Sequence, residues 1–179
     1  MELIGVRVRL RQFLIEDLNQ MAYWNRDQEV QAYVDCDLPA QLDELKVWYR
    51  NSIFDQYYRI FAIETIEGDL IGDLELDHIC WNKREAELRI RIGEKAFWGK
   101  GFGSEALKLI LDYMLIGKEF QRIYLRVYHF NQRAICCYRK LGFKPTGILR
   151  RNSPGWKNII LMELTKANYE KKVLASLAG

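Results

Sequence analysis

Residues 88–111 read LRIRIGEKAFWGKGFGSEALKLIL, and the fold turns on how this stretch divides. Its first residues alternate apolar and charged side chains, as a strand with two unlike faces does. Leu107, Ile110 and Leu111, continued by Met114 and Leu115, recur at three-and-four spacing and predict a helix running toward Gly117. Between them Gly99, Gly101 and Gly103 carry the chain into a helix starting near Ser104. Such a junction suits an anion. The backbone can approach closely, the first helical N–H groups lack internal partners, and the helix dipole favours a negative charge there by about 0.3–1 kcal/mol. Lys100 adds a positive charge.

Upstream, period two dominates. Residues 59–65 (RIFAIET), 70–79 (LIGDLELDHI) and 84–92 (REAELRIRI) alternate and are separated by polar turns at 67–69 and 81–83, which predicts a three-stranded antiparallel meander. In the third strand Ala86, Leu88, Ile90 and Ile92 share a core face, while Glu85, Glu87, Arg89 and Arg91 share a polar one. Earlier still, residues 7–11 alternate apolar and basic side chains as a strand, and residues 15–24 shift to helical spacing. Pro39 precedes a second amphipathic stretch at 41–53, with Leu42, Leu45 and Trp48 at helical intervals.

Downstream, Ile123, Leu125 and Val127 alternate, and Ala134, Cys137, Tyr138 and Leu141 form a helical stripe that Gly142 stops. Residues 146–151 and 156–164 read as two strands joined by Ser153-Pro154-Gly155, followed by a polar helix from Lys166. No linker, repeat or low-complexity stretch interrupts the 179 residues. The expectation is one α/β domain over residues 1–179, with an antiparallel front half and a strand-helix-strand crossover.

Apolar residues make up 49% and charged residues 28%, ordinary globular usage with no support for a disordered or membrane protein. Arginines within the first 12 residues interrupt the apolar run that a signal peptide needs, so a cytoplasmic protein is expected. A net charge of +3, spread along the chain, makes no case for nucleic acid. Cys36, Cys80, Cys136 and Cys137 show no metal-ligand spacing with the two histidines and read as reduced packing residues, so no metal is expected.

Other phosphate-binding signatures fit poorly. Residues 101–106 match G-x-G-x-x-A, yet residues 94–98 separate the glycines from the strand, and the next strand ends in Tyr128-His129 rather than an acidic ribose ligand. No glycine-lysine-serine/threonine run is present. What fits is a pair of linked motifs: WGKGFGSEAL, and after the next strand NQRAICCYRKLGF. Together they resemble the signature of the GNAT acetyltransferase superfamily, with a likeness to its RimJ/RimL-like, ribosomal-protein-acetylating branch. The likeness runs from residues 6–10 to the last strand.

The resemblance implies a GNAT fold: a mixed, mostly antiparallel sheet flanked by helices and splayed at an acetyl-CoA site. It implies that backbone amides of Gly99, Lys100, Gly101, Phe102, Gly103 and Ser104 hold the pyrophosphate, and that Arg91, Ile92 and Gly93 line the pantetheine arm. Asn131, Arg133 and Ala134 match positions near pantetheine and nucleotide. Trp98 stands where many members carry Gln or Arg, which removes a polar side chain from that position.

The implied reaction is acetyl transfer to a primary amine by direct attack in a ternary complex. An alkylammonium of pKa about 10.4 costs roughly 4.6 kcal/mol to present as neutral amine at pH 7, so a proton route is useful. Tyr138 matches the family's acid for the departing thiolate, though it also lies on an apolar stripe where a core tyrosine is ordinary. Glu87 is the candidate base, on the polar face of the strand beside the cofactor loop; a water chain, or a surface pair of Glu87 with Arg89 or Arg91, stays open beside it.

Asp35 and Asp37 could draw a cationic acceptor or be simply solvated, and His78 and His129 match no motif. A protein N-terminus, a polyamine, an aminoglycoside-type antibiotic and a sugar amine all remain open as acceptors; the RimJ/RimL likeness tilts toward the first. The alternative is a binding module that senses acyl-CoA without turnover, against which Tyr138 with Asn131 argues. An interaction surface of Trp48, Tyr49, Tyr57 and Tyr58 would make either an acceptor wall or a homodimer face.

Overall fold

The computed structural model describes residues 2–35, 38–150 and 157–177. Strands β1 (Glu2–Ile4) and β2 (Val8–Gln12) form a hairpin. A 3-10 turn, Ile15–Asp17, leads into α1 (Leu18–Arg26), α2 (Gln28–Gln31) and α3 (Leu42–Ile53). The meander is β3 (Arg59–Thr65), β4 (Leu70–Cys80) and β5 (Glu85–Ile92). Helix α4 (Phe102–Leu111) runs on as a π-helical turn, Asp112–Gly117, into β6 (Arg122–Tyr128). Then come α5 (Gln132–Leu141), β7 (Lys144–Leu149), β8 (Ile159–Thr165) and α6 (Lys166–Leu177).

These strands make one eight-stranded sheet in the order β1-β2-β3-β4-β5-β6-β8-β7, and all its pairings are antiparallel except β5 with β6. The parallel pair needs a crossover, and α4 supplies it across one face. Leu107, Ile110 and Leu111 of α4 are buried there against Leu74, Leu76 and Leu88, each side chain contributing about 1.5–3 kcal/mol by leaving water. On the other face Leu18 and Met21 of α1 and Leu45 and Tyr49 of α3 pack on Phe13, Ile60 and Ala62.

The GNAT architecture expected from the sequence is present, with differences at its edges. β1 and α2 carry no sequence expectation, because a three-residue strand and a one-turn helix are too short to show a period. The helix expected over 15–24 opens as a 3-10 turn because the buried Asp17 turns back: it accepts from Leu14 N at 2.8 Å and from both Arg11 η nitrogens at 2.7 and 2.9 Å. The final strands end at Leu149 and begin at Ile159, with a register shift between Pro145 and Gly147. The turn Ser153-Pro154-Gly155, Arg151 and Trp156 at the ends of those expected strands, Cys36 and Asp37 lie outside the described residues. Among the described residues no helix is long and apolar enough to cross a membrane.

The charged face of β5 is polar as expected, but it is not a solvated one. Glu87 and Arg91 are buried, because α1, α3 and the chain around Tyr33 to Asp35 cover this side of the sheet. Cys80 and Cys137 are half-buried and Cys136 is exposed, all three as free thiols.

Candidate active site

The parallel pairing of β5 with β6 lasts for three residues, Glu85↔Arg122, Ala86↔Ile123 and Glu87↔Tyr124, and no pair follows although both strands continue. The sheet therefore opens beyond Glu87. A cleft of about 510 Å³ occupies the opening, lined by Leu88 to Ile92 of β5, Arg126 to Tyr128 of β6, and the first turns of α4 and α5.

One end is built for an anion. Gly99 and Gly101 have φ of 71° and 88°, the left-handed region that glycine enters without a Cβ clash, and Gly101 is the residue that caps α4. The unpaired N–H groups of α4's first turn thus face the cleft that Gly101, Gly103 and Ser104 line. The loop is anchored from behind. Arg7 donates from Nη1 to the Lys100 carbonyl at 3.0 Å, from Nε to Glu105 at 3.0 Å, and lies 4.8 Å over the Phe102 ring. Glu105 Oε1 accepts from Val6 N and Arg7 N at 2.7 Å each. Burial works against the Glu105 charge, but these donors outweigh it and hold the carboxyl below its ordinary value.

Trp98 turns its indole N–H onto the Ile92 carbonyl at 2.6 Å, tying the loop to the end of β5. Arg133 stacks 4.3 Å over the Trp98 ring and 5.5 Å from Tyr33, which meets Trp98 edge-on. Trp98 is therefore an aromatic platform for a cation. Asn131 caps α5, its side chain accepting from Ala134 N at 3.2 Å, so its polar group is committed to the helix end. Ser104 Oγ and Cys137 Sγ, 3.0 Å apart, join the starts of the two helices, and burial pushes the Cys137 thiol up.

Tyr138 is buried, lines the cleft and packs its ring against Phe143. Burial, then the neighbouring Cys137, raises its hydroxyl well above the ordinary value, so it stays protonated at neutral pH.

The opposite wall is a ladder of charges. The β4–β5 register sets Asp73 across from Arg91, Glu75 across from Arg89 and Asp77 across from Glu87. Arg91 Nε reaches Asp73 at 2.8 Å and its Nη1 reaches Asn25 at 2.5 Å. Glu87 is held by Arg126 Nε at 2.9 Å, Arg89 Nε at 3.3 Å and His78 Nδ1 at 3.5 Å. Among the described residues Glu75 has a single guanidinium contact, Arg89 Nη1 at 3.5 Å. Burial, reinforced by Asp73 and opposed by Arg89 and Arg91, pushes the Glu75 carboxyl up to about 7. The buried Tyr58 hydroxyl lies beside Glu75: burial and that carboxylate push the hydroxyl up, and the hydroxyl in turn favours the Glu75 anion.

Of the residues that the resemblance nominates, Arg91, Ile92, Trp98, Gly99, Gly101, Gly103, Ser104, Asn131, Arg133 and Ala134 line the cleft together with Glu87 and Tyr138. Gly93, Lys100 and Phe102 do not. Gly93 instead lies against Trp24, where an added Cβ would stand 2.1 Å from the ring. Asp35 lines the cleft, with Tyr128 OH at 3.2 Å. The exposed His78 touches the ladder's edge, and His129 stays outside.

Asp73, Glu75 and Arg126 were not singled out from sequence. The signal lay in 70–79, where Asp73, Glu75 and Asp77 alternate on one face of a central strand opposite Glu87, Arg89 and Arg91. Among the described residues no three His, Cys, Asp or Glu side chains are grouped to hold a metal ion.

A family model described as an acetyltransferase (GNAT) domain matches residues 7–144. The spermidine N(1)-acetyltransferase of Escherichia coli (strain K12) is 34% identical over 142 residues, which cover 79% of this chain and 75% of that protein. The crystal structure of spermidine N-acetyltransferase from Vibrio cholerae in complex with CoA and spermine superposes with a TM-score of 0.84 at 28% identity, over 91% of this chain and 98% of the other. A dodecameric structure of the Vibrio cholerae enzyme in an intermediate state gives 0.78 at 28% identity, over 90% and 95%.

Proposed function

The chain belongs to the acetyltransferase (GNAT) family, and from that premise we propose that it acetylates a terminal primary amine of a linear polyamine. It is an N-acetyltransferase that uses acetyl-CoA on a primary amine. The polyamine reading rests on the division of charge across one cleft. Arg133, Lys140 and the α4 N-terminus line one part of it, and a wall of Asp35, Asp73, Glu75 and Glu87 set against Arg89, Arg91 and Arg126 lines another. Among the described residues that wall holds one carboxylate more than guanidinium, within reach of an oligocation. The relatives named above act on spermidine or bind spermine by their own descriptions. The RimJ/RimL likeness would point to a protein α-amine, and we give it second place because those relatives favour polyamines.

In this reading the amides of α4's first turn and Arg133 hold the diphosphate and nucleotide, and the parted strands hold the acyl arm. Tyr138, kept protonated by burial, gives its proton to the departing sulfur. A multimer built like the Vibrio cholerae relative, working in the cytoplasm, completes the proposal.

The test is acetyl-CoA-dependent thiol release with spermidine, spermine, N-terminal peptides, aminoglycosides and amino sugars. Spermidine is expected to exceed the peptides in kcat/KM by at least about 100-fold, the scale of one or two missing charge contacts. A peptide used as well as spermidine would overturn the polyamine reading.

A further inference from the structure

We propose that Glu75, rather than Glu87, accepts the proton that the incoming ammonium must lose before it attacks. The inference takes amine acetylation as given and relies on the polyamine reading for the choice of acceptor alone.

Position along the opening separates the two carboxylates. Glu87 belongs to the last zipped pair of β5 and β6, so it stands where the sheet is still closed. Glu75 is level with Arg89, two residues further along β5, where the strands have parted and a substrate can reach between them. Both side chains are buried and line the same cleft as Tyr138.

Occupancy separates them again. Glu87 is committed to Arg126, Arg89 and His78, and Asp73 is committed to Arg91 at 2.8 Å. Each of those contacts sets a basic side chain against the carboxylate and occupies the oxygens that an incoming ammonium would have to reach. Among the described residues Glu75 keeps one ion pair, with Arg89 Nη1 at 3.5 Å, beside the neutral Tyr58 hydroxyl. The groups facing it are Asp73 on its own strand, Arg89 and Arg91 on β5, and the Tyr58 hydroxyl ahead of β3. Burial and Asp73 outweigh the arginines, and a carboxyl near 7 is matched to proton transfer at neutral pH.

The proton account closes. Glu75 takes one proton from R–NH₃⁺, directly or through one water, and releases it to solvent. The neutral nitrogen forms its bond to the acetyl carbon, and the bond from that carbon to sulfur breaks. Tyr138 protonates the thiolate and is reprotonated by the second proton that nitrogen sheds. The sum is amide, thiol and one proton.

The experiment is kcat/KM against pH for the wild type, Glu75→Gln and Glu87→Gln, with spermidine and with a fluorinated alkylamine whose lower pKa leaves it neutral at pH 7. The wild type is expected to show an acid limb near pH 7 with spermidine. Glu75→Gln should lose that limb and fall by about 100-fold or more, while recovering to within about fivefold on the already neutral amine. Glu87→Gln should keep the limb. The proposal is overturned if Glu75→Gln keeps the limb, if Glu87→Gln loses it, or if the neutral amine restores nothing. Should Glu75→Gln not fold, Glu75→Asp carries the test: an unchanged kcat there is equally fatal. A peptide α-amine run in parallel separates the questions, since exclusive use of the peptide would refute the polyamine reading while its own pH profile still tests Glu75.

Discussion

Replacing Gly93 by alanine distinguishes packing from cofactor contact. The new Cβ would lie 2.1, 2.3 and 2.4 Å from three ring atoms of Trp24, so the indole would have to retreat by roughly 1.5 Å to reach ordinary carbon contact. It has nowhere to go. Trp24 is fully buried, its Nε1 donates to Glu94 at 2.9 Å, and the Arg91 guanidinium lies 5.5 Å over the ring. Overpacking of about 1–3 kcal/mol plus a disturbed hydrogen bond of about 1 kcal/mol gives a loss of about 2–4 kcal/mol. At about 2–4 °C per kcal/mol for this chain length, the melting temperature should drop by roughly 5–15 °C.

Urea and thermal unfolding would measure the loss, and acetyl-CoA titration would follow binding in the folded variant. The decisive comparison is with Trp24→Leu: once the ring is gone, adding the alanine should cost under about 0.5 kcal/mol, a strong non-additivity. Additive losses, with acetyl-CoA affinity falling equally in both backgrounds, would refute the steric argument and return Gly93 to the cofactor.

Three further outcomes follow from the site. Tyr138→Phe should lower kcat at least about tenfold while leaving KM for acetyl-CoA within about twofold, and an unchanged kcat would remove Tyr138 as the thiolate's acid. Arg7→Ala should free the Lys100 carbonyl and raise KM for acetyl-CoA about five- to tenfold with little change in kcat, so steady-state kinetics that show a kcat defect instead would sink the buttress role. For Glu75 the folded carboxyl titrates above its ordinary value of 4.5, so the folded state holds the proton longer and stability declines as pH rises from about 4.5 to about 7. Glu75→Gln removes that decline and should be the more stable protein at pH 8, by up to the order of 3 kcal/mol, yet nearly equal at pH 5; urea midpoints with the same offset at both pH values would contradict this.

The meander was legible because short runs of period two in residues 59–92 lie between clear turns, and the anion loop because glycine spacing and helix period speak for themselves. The ladder was legible in identity and not in environment. Glu87 and Arg89 read as an ordinary surface pair because nothing local announces that α1 and α3 close over them. Desolvation is what lifts Glu75, and desolvation is a property of neighbours distant in the chain. Gly93 shows the same limit: it reads as part of the cofactor strand, while its need for a bare backbone comes from Trp24, 69 positions earlier.

The three-residue union of β5 with β6 has a mechanical meaning. The union takes in the first residues of both strands, and beyond it two groups of strands flank a gap like boards joined at one end. A molecule laid along that gap would act as a splint, stiffening both sides at once. The bound donor would then complete the wall against which the amine is positioned, favouring an order in which acetyl-CoA arrives first.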